Sequence, residues 1–217
     1  MSLPRLPLES SADPLPTAAW LPGRGPVLWL GEPGPLSALH RDLQAAGRIW
    51  TAEVSAVPVP GPPPGTNPFS HRPDRHAALR WGPPSQDRRS LQEVGAPACF
   101  DGLVLVDCLG PLPAQAARTL LVQAAAHLPV GAPWMLLDRN GRYGPEVLRN
   151  LRRPDEERGE GKGTVRTVEE LRRLLEPAGF GVARARALAP RRRDRLLQRA
   201  LGADVASEWL LVRGERF

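Results

Sequence analysis

Short apolar runs alternate with stretches of helical spacing from residue 27 almost to the end of the chain, and this alternation restricts the fold more than any other feature. Residues 27–30 (VLWL), 103–106 (LVLV) and 133–138 (PWMLLD) are too short for buried helices and read as strands covered on both faces. Between them, Leu36, Leu39, Leu43 and Ala46 share one helical stripe, with Ser37 as N-cap and Gly47 as stop; Ala116, Leu120, Ala124 and Leu128 share another. Residues 167–178 form the strongest helix: Thr167 caps it, Glu169 and Glu170 sit in its positive first turn, and Gly179 follows its end. Residues 48–54 and 76–81 read as further strands and 88–94 as a weak helix. Such a pattern predicts an α/β fold, a doubly wound, mostly parallel sheet with helices on both faces. The last two strands, 181–188 and 208–214, are separated by a basic stretch without a clear crossover helix, which predicts an antiparallel last strand.

Proline divides the chain. Its 26 prolines are more than twice the usual share and cluster near the N-terminus and between residues 58 and 84. Residues 1–25 are expected to be a Pro-rich arm, with Trp20 and Leu21 packing on the domain. Residues 26–217 are expected to be one α/β domain, interrupted by a Pro-rich loop at 58–75 and a charged, lid-like insertion at 139–166. A chain of 217 residues suffices for one such domain.

The charge is uneven. The net value is +6, yet residues 139–199 hold 17 basic and nine acidic side chains, leaving the remainder slightly acidic. A basic C-terminal third suits a protein partner, an anionic surface or the surface of a membrane complex; its alternative is a solvated face. The run RRRDR at 191–195 has no interleaved aromatics, so a nucleic-acid role is not expected. No apolar run approaches the roughly 18 residues of a membrane span, and MSLPRLPLESS has no signal-peptide core. The expected location is cytoplasmic, with attachment to the periphery of a membrane complex left open. Cys99 and Cys108 lie near one apolar run without CxxC spacing and are expected to be buried thiols. The four histidines, at 40, 71, 76 and 127, have no metal-ligand spacing, so no metal is expected.

The segments VLWLGEPGPLS, IWTAEVS, FDGLVLVDCLGPLP and RTVEELRRLLEPAGFGVARARAL, in this order, resemble the class I S-adenosylmethionine (SAM) dependent methyltransferases of the small-molecule-acceptor kind. VLWLGEPGPLS (27–37) stands where that family has its first strand and glycine loop. IWTAEVS (49–55) stands where its second strand ends in an acid. FDGLVLVDCLGPLP (100–113) is similar to its fourth strand and exit, and RTVEELRRLLEPAGFGVARARAL (166–188) to its late helix, Gly-Phe turn and sixth strand. The resemblance implies a Rossmann-like sheet of about seven strands with an antiparallel last strand, and a cofactor lying across the carboxyl ends of the first strands.

It also implies where SAM would bind. Gly31, Glu32 and Gly34 fall in the loop, Glu53 at the ribose, and Asp107 and Cys108 on the methyl-transfer side. Asp107 is the one catalytic candidate, as a general base or acceptor-orienting group, its alternative being a cap on the next turn. Three positions depart from the family. Trp29 replaces an acid, Pro33 replaces a glycine and removes an N–H, and Pro83 stands where an adenine-binding Asp is common. Losing two polar anchors costs roughly 3–6 kcal/mol, or about 10² to 10⁴ in affinity. Two functions follow as expectations: a degenerate domain acting as a binding or assembly subunit, or an active methyltransferase on an unidentified small molecule.

Overall fold

The computed structural model describes residues 8–10, 17–58, 75–81, 89–90, 100–110, 112–144, 166–188 and 207–217; side chains are described for these except at 8–10, 52–58, 75–81 and 89–90. The strands are β1 (Leu8–Ser10), β2 (Val27–Leu30), β3 (Ile49–Pro58), β4 (Arg75–Trp81), β5 (Arg89–Ser90), β6 (Gly102–Val106), β7 (Pro133–Arg139), β8 (Phe180–Leu188) and β9 (Trp209–Arg216). Among the described residues the α-helices are α1 (Ser37–Ala45), α2 (Ala114–Ala126) and α3 (Val168–Leu175).

The nine described strands join one sheet in the order β1-β8-β9-β7-β6-β2-β3-β4-β5. The central pairs β7/β6, β6/β2 and β2/β3 are parallel. β9 inserts antiparallel between β7 and β8, as expected for the last strand. Seven strands span β8 to β4, and β1 and the two-residue β5 add an edge on each side.

The sheet separates two apolar layers because β-strand side chains alternate. Leu28, Leu30, Leu103, Leu105, Trp134 and Leu136 pack with α2 and α3. Val27, Trp29, Val104, Val106, Met135 and Leu137 face the other way, against Leu36, Leu39 and Leu43 of α1 and its entry. All are almost fully buried. α3 starts at a complete capping box: Glu170 N–H donates to the Thr167 hydroxyl and Thr167 N–H donates to Glu170 Oε2.

Three expectations need correction. β4 runs antiparallel to β3, not parallel, with Glu53 opposite Arg80. Residues 89–90 are strand β5, not helix, because they extend that antiparallel ladder by pairing with β4. Ser37 does not cap α1, since a 3₁₀ turn at Gly34–Leu36 runs directly into the helix and makes Ser37 its first residue. Within the expected arm, Leu8–Ser10 pairs parallel with β8.

The second half of the arm is bound to its own domain. Leu21 is buried beside Trp29 and α1. Arg48 donates to the carbonyls of Gly25 and Leu21, at 3.0 and 3.3 Å, and Asp101 accepts from Gly25 N–H at 2.5 Å. Trp20 lies under the guanidiniums of Arg213 and Arg186, 4.2 and 5.6 Å from its ring centre. No described helix is long and apolar enough to cross a membrane.

Candidate functional site

The strand order reverses between β2 and β6, since β2 continues to β3 on one side and receives β6 on the other. Open α/β sheets bind ligands at the carboxyl ends of strands at such a point. Gly31, Gly34, Asp107 and Cys108 all stand there.

Gly31 has φ +94 and Gly34 φ +44. Both are left-handed, where glycine is unstrained. A Cβ on Gly31 would overlap the Val106 carbonyl oxygen and come within 3.4 Å of the Cys108 Cβ, so the loop presses directly on the end of β6. A Cβ on Gly34 would meet nothing closer than 4.0 Å, so that side of the loop is open. Pro33 begins the 3₁₀ turn at φ −57, which its ring favours. Glu32 is exposed.

Trp29 stands at the sequence position where the resemblance implies an acid. Its ring is 1% exposed, stands edge-on to His40 at 4.9 Å, and donates from Nε1 to the carbonyl of Gly31 at 3.0 Å. The indole therefore ties the loop backbone to the α1 layer. Burial holds the His40 imidazolium below its ordinary pKa, and the nearby Glu32 carboxylate opposes that shift.

Leu30 pairs with Ala52, so Glu53 stands at the level of Gly31, the position implied for a ribose contact. It does not end its strand. β3 continues to Pro58, because β4 supplies an antiparallel partner along residues 52–58. Pro83, Cys99, His71 and most of the lid-like insertion (145–165) lie outside the described residues.

Asp107 ends β6 with φ +48, an uncommon conformation for a side-chain-bearing residue. Its carboxylate accepts from Arg139 Nε at 3.3 Å. Arg139 also donates to Glu208 at 2.6 Å and stacks on Trp209 at 4.2 Å. Asp107 is thus part of a partly exposed charged network, which competes with a role as general base. Cys108 is buried, and burial followed by the charge of Asp138 pushes its thiol far above the usual range. Burial thus favours its neutral thiol.

Sequence reasoning missed Asp138, Arg139, Arg166 and Glu208. Asp138 carried the same signal as Asp107, an acid closing an apolar strand. It is 1% exposed, and burial pushes its carboxyl up to about 6, while its bond from Arg139 N–H and the charge of Arg166 oppose the shift. Among the described residues, no group of three His, Cys, Asp or Glu is placed to hold a metal ion.

The architecture is that of the class I SAM-dependent methyltransferases. A SAM-dependent methyltransferase from Archaeoglobus fulgidus aligns over 91% of this chain and 89% of its own, with a TM-score of 0.53 and 11% identity. The 1,6-didemethyltoxoflavin-N1-methyltransferase of Burkholderia thailandensis, solved with 1,6-didemethyltoxoflavin and S-adenosylhomocysteine bound, aligns over 92% and 74% at a TM-score of 0.49 and 17% identity. A SAM-dependent methyltransferase of Methanosarcina mazei aligns over 56% and 61% at a TM-score of 0.40 and 16% identity, so the chain matches less than two thirds of that protein's length. Identities this low establish the fold alone. No family model matches the chain, and no curated protein does.

Proposed function

We propose that this chain is a methyltransferase-fold protein without a strong SAM site, acting as a binding or assembly subunit of a larger complex. The observation that carries this is Trp29. Where a carboxylate would hold the cofactor's amino-acid end, a buried indole spends its only donor on the loop itself. The missing charge-assisted bond is worth about 1.5–3 kcal/mol. Pro33 and the continuation of β3 beyond Glu53 add to the loss on the loop and ribose sides. Protein partners would be held by the basic C-terminal third and the N-terminal arm; an anionic surface or the face of a membrane complex is the other surface that a basic third suits.

A second function, an active methyltransferase on a small molecule, is favoured by the left-handed Gly31 and Gly34, the open space at Gly34 and the level of Glu53. Calorimetry of the full chain with SAM and with S-adenosylhomocysteine separates the two. The subunit reading expects a dissociation constant above about 50 μM for both; tighter binding, or methyl transfer to any acceptor, overturns it. Deleting residues 1–19 and comparing what co-purifies tests the arm. Retention of every partner by the shortened chain removes the arm from the interface.

A further inference from the structure

The N-terminal arm and the basic C-terminal third meet at the outer edge of β8. Leu8, Glu9 and Ser10 of β1 pair parallel with Ala185, Arg186 and Ala187. Side chains two apart on a strand share a face. Arg184 and Arg186 therefore lie with Leu188, and Arg213 with Leu211, on the side of the sheet that carries α1. Arg184 is exposed and stands directly opposite Arg213. Like charges so placed destabilise a sheet, so the fold gains nothing from this pair. Along this row β1 places one acid: Glu9 holds the register position opposite Arg186. The Trp20 ring lies 5.6 Å from the Arg186 guanidinium and 4.2 Å from that of Arg213. β1 stops one step short of Arg184, where the sequence has Pro7, with neither charge nor N–H.

The two arm contacts are held unequally. Trp20 is followed by the buried Leu21, whose carbonyl accepts from Arg48. β1 is three residues long, pairs on one side only and runs parallel, the less stable pairing per residue. Between them the sequence SADPLP (11–16) carries two prolines, which favour extended backbone at the residues before them. β1 can therefore leave β8 while Trp20 stays in place. We propose that the outer edge of β8 is a docking site for an extended acidic strand of a partner protein, and that β1 is its resident competitor. A strand edge offers a row of backbone N–H and C=O groups to an added strand. A strand with acids two residues apart, opposite Arg184 and Arg186, pairs in the register that β1 shows and offers two carboxylates where β1 offers one. This rests on the subunit reading and names the chemistry of the partner. β9, β7 and β6 separate β8 from the glycine-loop strand β2, so the SAM titration and the test below can fail independently.

The probe is a fluorescein-labelled peptide of residues 4–12 carrying Pro7→Glu, and its control carries Pro7→Lys and Glu9→Lys. Each is titrated, by fluorescence anisotropy, with the full chain and with its Glu9→Arg variant, in which β1 meets Arg186 with a like charge. The variant is expected to bind the acidic peptide about tenfold tighter than the native chain, the effect of removing one charged contact from the competitor. The lysine peptide is expected to bind neither. Arg184→Glu together with Arg186→Glu is expected to reverse the preference towards the lysine peptide, a reversal that a misfolded chain would not show. Equal binding of the acidic peptide by the native and Glu9→Arg chains, equal binding of the two peptides, or no binding by the Glu9→Arg chain below about 1 mM overturns the proposal. So does a native chain that dimerises and loses the peptide in parallel, since a second copy would then be the occupant of the edge.

Discussion

The indole N–H of Trp29 donates to the carbonyl of Gly31, two residues on, across 3.0 Å. One side chain thereby fixes the exit of β2 from beneath. Trp29→Phe keeps most of the ring's volume and removes this donor. We expect a loss of about 1–2 kcal/mol in chemical denaturation, from the lost bond and the smaller ring. Trp29→Asp is expected to cost well over 3 kcal/mol, because it leaves a carboxylate among Leu39, Leu43 and Val106 in place of an indole. An aspartate variant of near-native stability would show that the loop is looser than its contacts indicate.

Gly31 and Gly47 both have left-handed backbones but opposite surroundings. Alanine at Gly31 drives its Cβ into the Val106 carbonyl, whereas nothing lies within 4 Å of one at Gly47. Gly47→Ala is expected to cost about 1 kcal/mol of conformational strain, and Gly31→Ala at least about twice that. Thermal melts of the two variants check the order; equal losses would mean that β2 and β6 separate at their ends without penalty.

Asp138 gives the chain an unusual response to acid. Its carboxyl is raised from 3.8 to about 6 in the fold, with burial as the main cause. Between these values the folded state holds the proton more tightly than the unfolded state. The penalty for ionised Asp138 is fully present above pH 6 and is relieved as pH falls below it, by up to about 1.4 kcal/mol per pH unit. Asp138→Asn removes this titration. We expect the stability of the native chain relative to the variant to increase from pH 7 to pH 5, measured by urea unfolding. A constant difference would place the Asp138 carboxyl at an ordinary value.

The arm should divide into two parts of unequal importance. Removing residues 1–16 deletes β1 and keeps Trp20, Leu21 and the bonds from Arg48. Removing residues 1–25 also deletes a fully buried leucine, worth about 1.5–3 kcal/mol by itself. The longer truncation is therefore expected to melt several degrees lower than the shorter. Equal melting temperatures would show that the Trp20–Leu21 segment contributes little to the fold.

What could be seen in the sequence was local or periodic. Thr167 and Glu170 are three residues apart, so their capping box was legible, as were the apolar strands Val27–Leu30 and Gly102–Val106. The direction of β4 was not, because antiparallel and parallel pairing place the same side chains on the same faces and differ only in the path of the connection. Trp29 was legible as a missing acid but not as the donor to Gly31, which depends on where an indole ring turns inside the α1 layer. The engagement of Asp107 by Arg139 joins residues 32 apart, and the pair Asp138 and Arg166 becomes visible only when the bridge between Asn140 and Arg166 closes. Neither leaves a pattern along the chain.

The position of β9 has a consequence for how the protein is made. Leu8 of β1 pairs with Ala185 of β8, and β8 reaches the rest of the sheet only through β9. During translation the arm leaves the ribosome long before its docking strand, and the strand that connects both to β7 emerges later still. At about 5–20 residues per second, roughly ten seconds or more separate the two events. From the synthesis of β7 until β9 follows some 70 residues later, about 4–14 s at that rate, the apolar edge of β7, with Met135, Leu136 and Leu137, has no neighbour on that side. The nascent chain therefore carries an open sheet edge until Trp209–Arg216 arrives, and that is the stage at which a chaperone or a partner strand has access to it.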